Sequence, residues 1–147
     1  GFPGWINLVG IDSPGFTAAI AIAEDHSREG IIAAFKKRHS YGAQDNILLD
    51  VRSGKHMMGD EFTVSATPRL SIKATGTTPI DRVDIVRQIG TAPPEYVASF
   101  EPRKQNINLD WFDPAAAAGE VNMYYVRLQQ RNKALAWASP MWIDYRP

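Results

Sequence analysis

The residues of this chain with catalytic potential are three histidines and a few paired acids. Metal ligation needs several N or O donors converging on one ion. His26, His39 and His56 lie far apart in sequence, and none pairs at the i, i+3 or i, i+4 spacing that sets two imidazoles on one helix face. His39 reads as a helix-terminal residue meeting the dipole. His56 reads as a loop residue in Lys55-His56-Met57, and the role of His26 stays open. Acidic groupings occur at Glu24-Asp25, Asp60-Glu61 and Asp81/Asp84. Two-carboxylate hydrolysis requires a fixed separation across a cleft, and Asp60-Glu61 after Gly59 reads as a turn. The chain carries no glycine-rich phosphate loop, no G-x-S-x-G elbow and no calcium loop. It has no cysteine, which excludes disulfides, thiolate metal sites and thiol nucleophiles. Cysteine absence does not assign a compartment, so localisation stays unknown.

Four tryptophans and five tyrosines could stack on sugar rings, but a small β domain also needs large aromatics to fill its core. Trp137 and Trp142, five apart in one predicted strand, should face opposite ways, with one of them in the core. Tyr124 and Tyr125 should likewise diverge. A carbohydrate- or protein-binding module is therefore kept as an alternative function.

Sixteen basic and sixteen acidic side chains cancel, and the one dense cluster, Lys36-Lys37-Arg38, ends a predicted helix. Without a basic stripe, no nucleic-acid partner is expected. No stretch approaches the roughly 20 apolar residues of a membrane-spanning helix, so no membrane partner is expected. Apolar and charged contents of 44% and 22% are globular values. A length of 147 residues fits one ordinary domain, or a small domain with an appended piece.

The elements that must position these groups change character along the chain. Apolar runs Ile6 to Ile11 and Ala18 to Ala23 flank the turn Asp12-Ser13-Pro14-Gly15. Such near-continuous runs are typical of parallel strands covered on both faces. An amphipathic helix is predicted from Arg28 to His39, with Ser27 as N-cap, Gly42 beyond its C-terminus, and Ile31, Ile32 and Phe35 as its apolar stripe. Two strands and one helix cannot close such a core, so the chain reads as the C-terminal part of something larger. From Asn46 the period becomes two. Strands are predicted at 47–51, 61–64, 70–74, 80–89, 96–100, 107–111, 122–128 and 136–143, the last two as a hairpin around Arg131-Asn132-Lys133. In the longest, Val83, Ile85 and Arg87 alternate against Arg82, Asp84 and Val86. Eight short strands with regular turns indicate an antiparallel β-sandwich.

Several segments together resemble a known family. They are Ser27-Arg28-Glu29-Gly30-Ile31, Arg38-His39-Ser40-Tyr41-Gly42-Ala43 and Asp45 to Asp50, followed by Met58-Gly59-Asp60-Glu61-Phe62, Gly76 to Val86, Tyr124 to Arg127 and Ala136 to Ile143. In this order they resemble the C-terminal region of PHP-type (polymerase and histidinol phosphatase) metal-dependent phosphoesterase-like proteins of unknown function. The resemblance implies a mostly β chain: an antiparallel sandwich, 45–147, preceded by a strand-strand-helix remnant of an α/β barrel, 1–44. It implies an N-terminal barrel as partner and a divalent metal in the full-length parent. Within the chain it implies no catalytic residue, no cofactor site and one metal ligand, Asp12; Ser13 stands where the second ligand of an Asp-His pair would fall. His26 then becomes a candidate for the barrel rim. The resulting expectation is a hydrolase-associated accessory region without activity of its own. A structural role is the other alternative, with the apolar N-terminal strands forming a homo-oligomer.

Overall fold

A computed structural model describes residues 5–7, 18–22 and 40–147, with side chains from 41 onward. The described residues form twelve strands and no helix, so the chain is mostly β. The organising element is one long strand, β7 (Arg69–Ile89). Its first half carries β4 (Leu48–Ser53) on one side and β9 (Lys104–Phe112) on the other. Its second half carries β10 (Val121–Gln130) and β8 (Glu95–Phe100). The predicted strands 70–74 and 80–89 are thus one continuous element. Between Thr75 and Ile80 the register against β9 shifts, and the bulge absorbs Gly76 and Pro79.

A hairpin joins β10 to β11 (Leu135–Ala138), as the turn residues predict, with Lys133 in the left-handed region at φ 73°. Ser139 and Pro140 then break the run. The chain resumes as β12 (Met141–Tyr145), which pairs the opposite end of β10 and lies parallel to β6 (Glu61–Val64). This break corrects the expectation for the two tryptophans. Trp137 faces Arg127 and Trp142 faces Met123 across the ladders. Both partners are odd-numbered residues of β10, so both indoles lie on the outer side and neither is core. The tyrosine expectation holds: Tyr124 is buried and Tyr125 lies on the other face.

β3 (Ser40–Ala43) pairs β11 on one side and β2 (Ala18–Ile22) on the other, and β2 pairs β1 (Trp5–Asn7). All three ladders are antiparallel, where the apolar runs suggested parallel strands. The predicted helix over 28–39, and Asp12, Ser13 and His26 with it, lie outside the described residues.

Alternation explains the core. Leu49 and Val51 of β4, Leu70, Ile72 and Ala74 of β7, and Tyr124, Val126 and Leu128 of β10 all point inward. They meet Met58, Met141 and Ile143 in one buried cluster, which Tyr41 and Ala43 of β3 also join. The core therefore draws residues from both sides of position 44. A sheet that curls around one apolar side exposes the other, and the alternate positions of β4, β7 and β9 become a polar outer surface.

Candidate binding groove

Three polar constellations stand out, and two of them serve the fold. The first is buried beneath the loop after β9. Arg87 continues the inward row of Val83 and Ile85, so its guanidinium enters the interior and needs an anion there. Asp113 supplies it, accepting from Nη1 at 2.8 Å through both Oδ1 and Oδ2. The two residues are 7% and 2% exposed. The Tyr124 hydroxyl donates to the same carboxylate at 2.5 Å, and the Ala115 amide caps it at 3.1 Å. Trp111 packs edge-on against Tyr124, with centroids 6.0 Å apart. Burial opposes the Arg87 charge, yet the Asp113 bonds and charge outweigh it and hold its pKa above the ordinary value. Burial, reinforced by the bond and charge of Asp113, pushes the Tyr124 phenol well up. Every member is tied to another, so this cluster fastens the loop to the sheet.

The second constellation joins the β7 crossover to the β10–β11 turn. Thr77 donates to Asp45 Oδ2 at 2.7 Å. Gln130, buried, reaches Asp45, Thr77 and Asn132 through Nε2. Its Oε1 accepts from the Thr77 amide at 3.2 Å. The Thr77 bond is the largest cause of a lowered Asp45 pKa, aided by the Asn46 amide, Asn132 and Gln130 against a burial effect of opposite sign.

The third lies on the outer face and is open. A groove of about 380 Å³ is lined by Asp50, Arg52 and Gly54, by Arg69, Ser71 and Lys73 of β7, and by Asn108 and Asp110 of β9. Register explains the grouping: Lys73 lies between Asp50 and Asn108, and Ser71 between Arg52 and Asp110. Arg52 Nε donates to both oxygens of Asp50 at 3.0 Å. Ser71 donates to Asp110 at 2.7 Å. At the groove's end the Arg69 guanidinium sits 5.8 Å from the centre of the Phe112 ring, which is 55% exposed. No pattern over a few residues marks this surface, because it is assembled from strands up to 60 positions apart.

The histidines and acids singled out in the sequence do not converge among the described residues. His56 opens the two-residue strand β5 (His56–Met57), paired with β4, where a loop was expected; it stacks on Phe62 at 3.9 Å, and its Nδ1 lies 3.7 Å from Asp60 Oδ2. Asp60 also accepts from the Met57 amide, so it closes a turn as its neighbours suggested. Asp84 accepts two bonds from Arg82 and one from Ser99, while Asp81 meets Arg131 at 3.3 Å on another part of the surface. No three His, Asp or Glu residues among those described are placed to hold a metal ion. No helix among the described residues is long and apolar enough to cross a membrane.

The chain is similar to three uncharacterized chlamydial proteins. It is 30% identical to one from Chlamydia muridarum over 149 residues, 29% to one from Chlamydia pneumoniae and 27% to one from Chlamydia trachomatis. Each match covers 90% of this chain and 23% of the relative, so the chain spans about a quarter of the length of the curated relatives it matches. No family model matches the chain, and no solved structure matches it.

Proposed function

We propose that this chain is the C-terminal accessory β region of a PHP-like metal-dependent hydrolase, noncatalytic by itself. In this reading 1–44 is what remains of the barrel, although its strands β1, β2 and β3 run antiparallel and join the sheet through β11, and 45–147 is a β-sandwich that braces the barrel and walls its cleft. The observation that carries this reading is the use made of the buried ionisable groups. Arg87, Asp113, Tyr124 and Asp84 are all consumed by bonds that hold strands and a loop in place. A catalytic acid or base must keep a proton site free for substrate. The share of the chlamydial relatives that the chain spans also supports an accessory part of a longer protein. In this reading the parent's divalent ion sits on donors of the barrel, with Asp12 the contribution of this chain.

Metal analysis and a phosphodiester assay on a whole chlamydial relative and on this chain test the proposal. The whole protein is expected to hold a divalent ion and turn over, and this chain to do neither. A metal-free, inactive whole protein overturns it, as does one equivalent of metal on this chain with turnover lost in Asp12→Ala.

A second reading, self-association, is favoured by the place of β1 at the end of the strand order among the described residues, since a strand edge can receive another copy. Sedimentation of the 147-residue chain as a monodisperse monomer overturns it.

A further inference from the structure

We propose that the outer groove over β4, β7 and β9 binds a carboxylate-bearing carbohydrate, a uronate-containing oligosaccharide. Three cations, Arg52, Arg69 and Lys73, face two carboxylates, Asp50 and Asp110. Both carboxylates are already engaged, Asp50 by Arg52 and Asp110 by Ser71. Lys73 lies directly opposite Asp50, but Asp50 turns to Arg52, and neither Lys73 nor Arg69 forms an ion pair with a described residue. Two exposed cations on one strand, about 13 Å apart at Cα, are left to receive anions from outside.

The acids between them decide which anion. Asp50 and Asp110 would repel a close-packed row of phosphates or sulfates. They suit a ligand with few charges and many hydroxyls, since carboxylate and amide oxygens accept from hydroxyls while Arg and Lys donate to them. Asn108 adds both functions. Phe112 is more than half exposed, so the ring surface that Arg69 does not cover can meet the C–H face of a sugar. The volume lies at the lower end of the range of small-molecule sites, enough for a ligand of one or two rings. The inference goes beyond the hydrolase reading and holds whether or not the parent is a hydrolase.

Calorimetry of the 147-residue chain with di-galacturonate, whose two carboxylates match the two open cations, its neutral digalactose counterpart and dextran sulfate tests it. Saturable binding of the uronate is expected, at least tenfold weaker for the neutral sugar and for Lys73→Gln, Arg69→Gln and Phe112→Ala. Arg103→Gln, on an exposed turn outside the groove, should bind as the parent does. These groove side chains are exposed or half-exposed, so unchanged circular dichroism and melting should accompany the losses. Absence of uronate binding overturns the proposal. So does equal binding of dextran sulfate, or a loss as large in Arg103→Gln, since either would mean unspecific attraction.

Discussion

Arg87 and Asp113 face each other across 2.8 Å at both carboxylate oxygens, twenty-six residues apart in sequence and nearly shut off from water. Removing one partner strands the other charge in the interior, which costs about 3–5 kcal/mol. Asp113→Ala should lower the free energy of unfolding in urea by that amount and expose the 113–120 loop to protease. Arg87→Met with Asp113→Leu removes both charges and should recover much of the loss. A single variant that melts with the parent would mean that water reaches the pair.

Alkaline pH should weaken the fold through Tyr41. Its hydroxyl donates to the Ile47 carbonyl at 3.0 Å, and burial pushes its pKa well above the ordinary phenol value. A pKa raised in the folded state contributes stability that is full below the unfolded value, about 10, and is lost as pH climbs toward the folded one. Urea midpoints should therefore fall as pH rises above about 10, and Tyr41→Phe should flatten that fall in part, the buried Tyr124 phenol contributing the rest in the same direction. A slope unchanged in the variant would remove Tyr41 as its cause.

Gly76 sits where β7 bulges between its two halves. A Cβ there would collide with the Thr78 carbonyl oxygen and lie 2.8 Å from Gln130 Oε1. The first obstacle is backbone and cannot swing away, so Gly76→Ala should cost about 1–3 kcal/mol. It should also disturb the contacts of Gln130 with Thr77 and Asp45, which amide chemical shifts of Thr77 would report. An unshifted Thr77 amide with a parental melt would show that the bulge yields freely.

Much of the strand pattern was legible because apolar residues alternate along β4, β7 and β10. What lay beyond reach has physical causes. Gly76 and Pro79 signal a turn, yet pairing on both sides carried the chain through as one strand. Ser139-Pro140 shifted the parity of the last strands, and no local signal tells a parity-restoring break from a straight run. β3 escaped because a short strand beside a predicted helix end has no period of its own. The Arg87 latch did leave a trace: an arginine at an inward position of an alternating strand requires a buried anion. The groove left none, for its residues are ordinary solvent-facing positions until the register sets them side by side.

Gly42 and Trp137 should be energetically coupled. They face each other across the β3–β11 ladder, and the indole lies over the glycine where a side chain would stand. A Cβ on Gly42 would come within 2.6 Å of the ring atoms Cε2 and Cζ2 and 2.9 Å of Nε1. Trp137 is 37% exposed, so its ring can swing outward, but only by giving up its contact with the β3 backbone. Gly42→Ala should therefore shift tryptophan emission to the red and cost about 1–3 kcal/mol. With Trp137→Ala already present, the same change should cost little, because the clash is gone. A double-mutant cycle would then show a coupling of at least about 0.5 kcal/mol between the two sites. Additive losses would mean that the glycine is needed for the backbone of β3 itself and not for the ring above it.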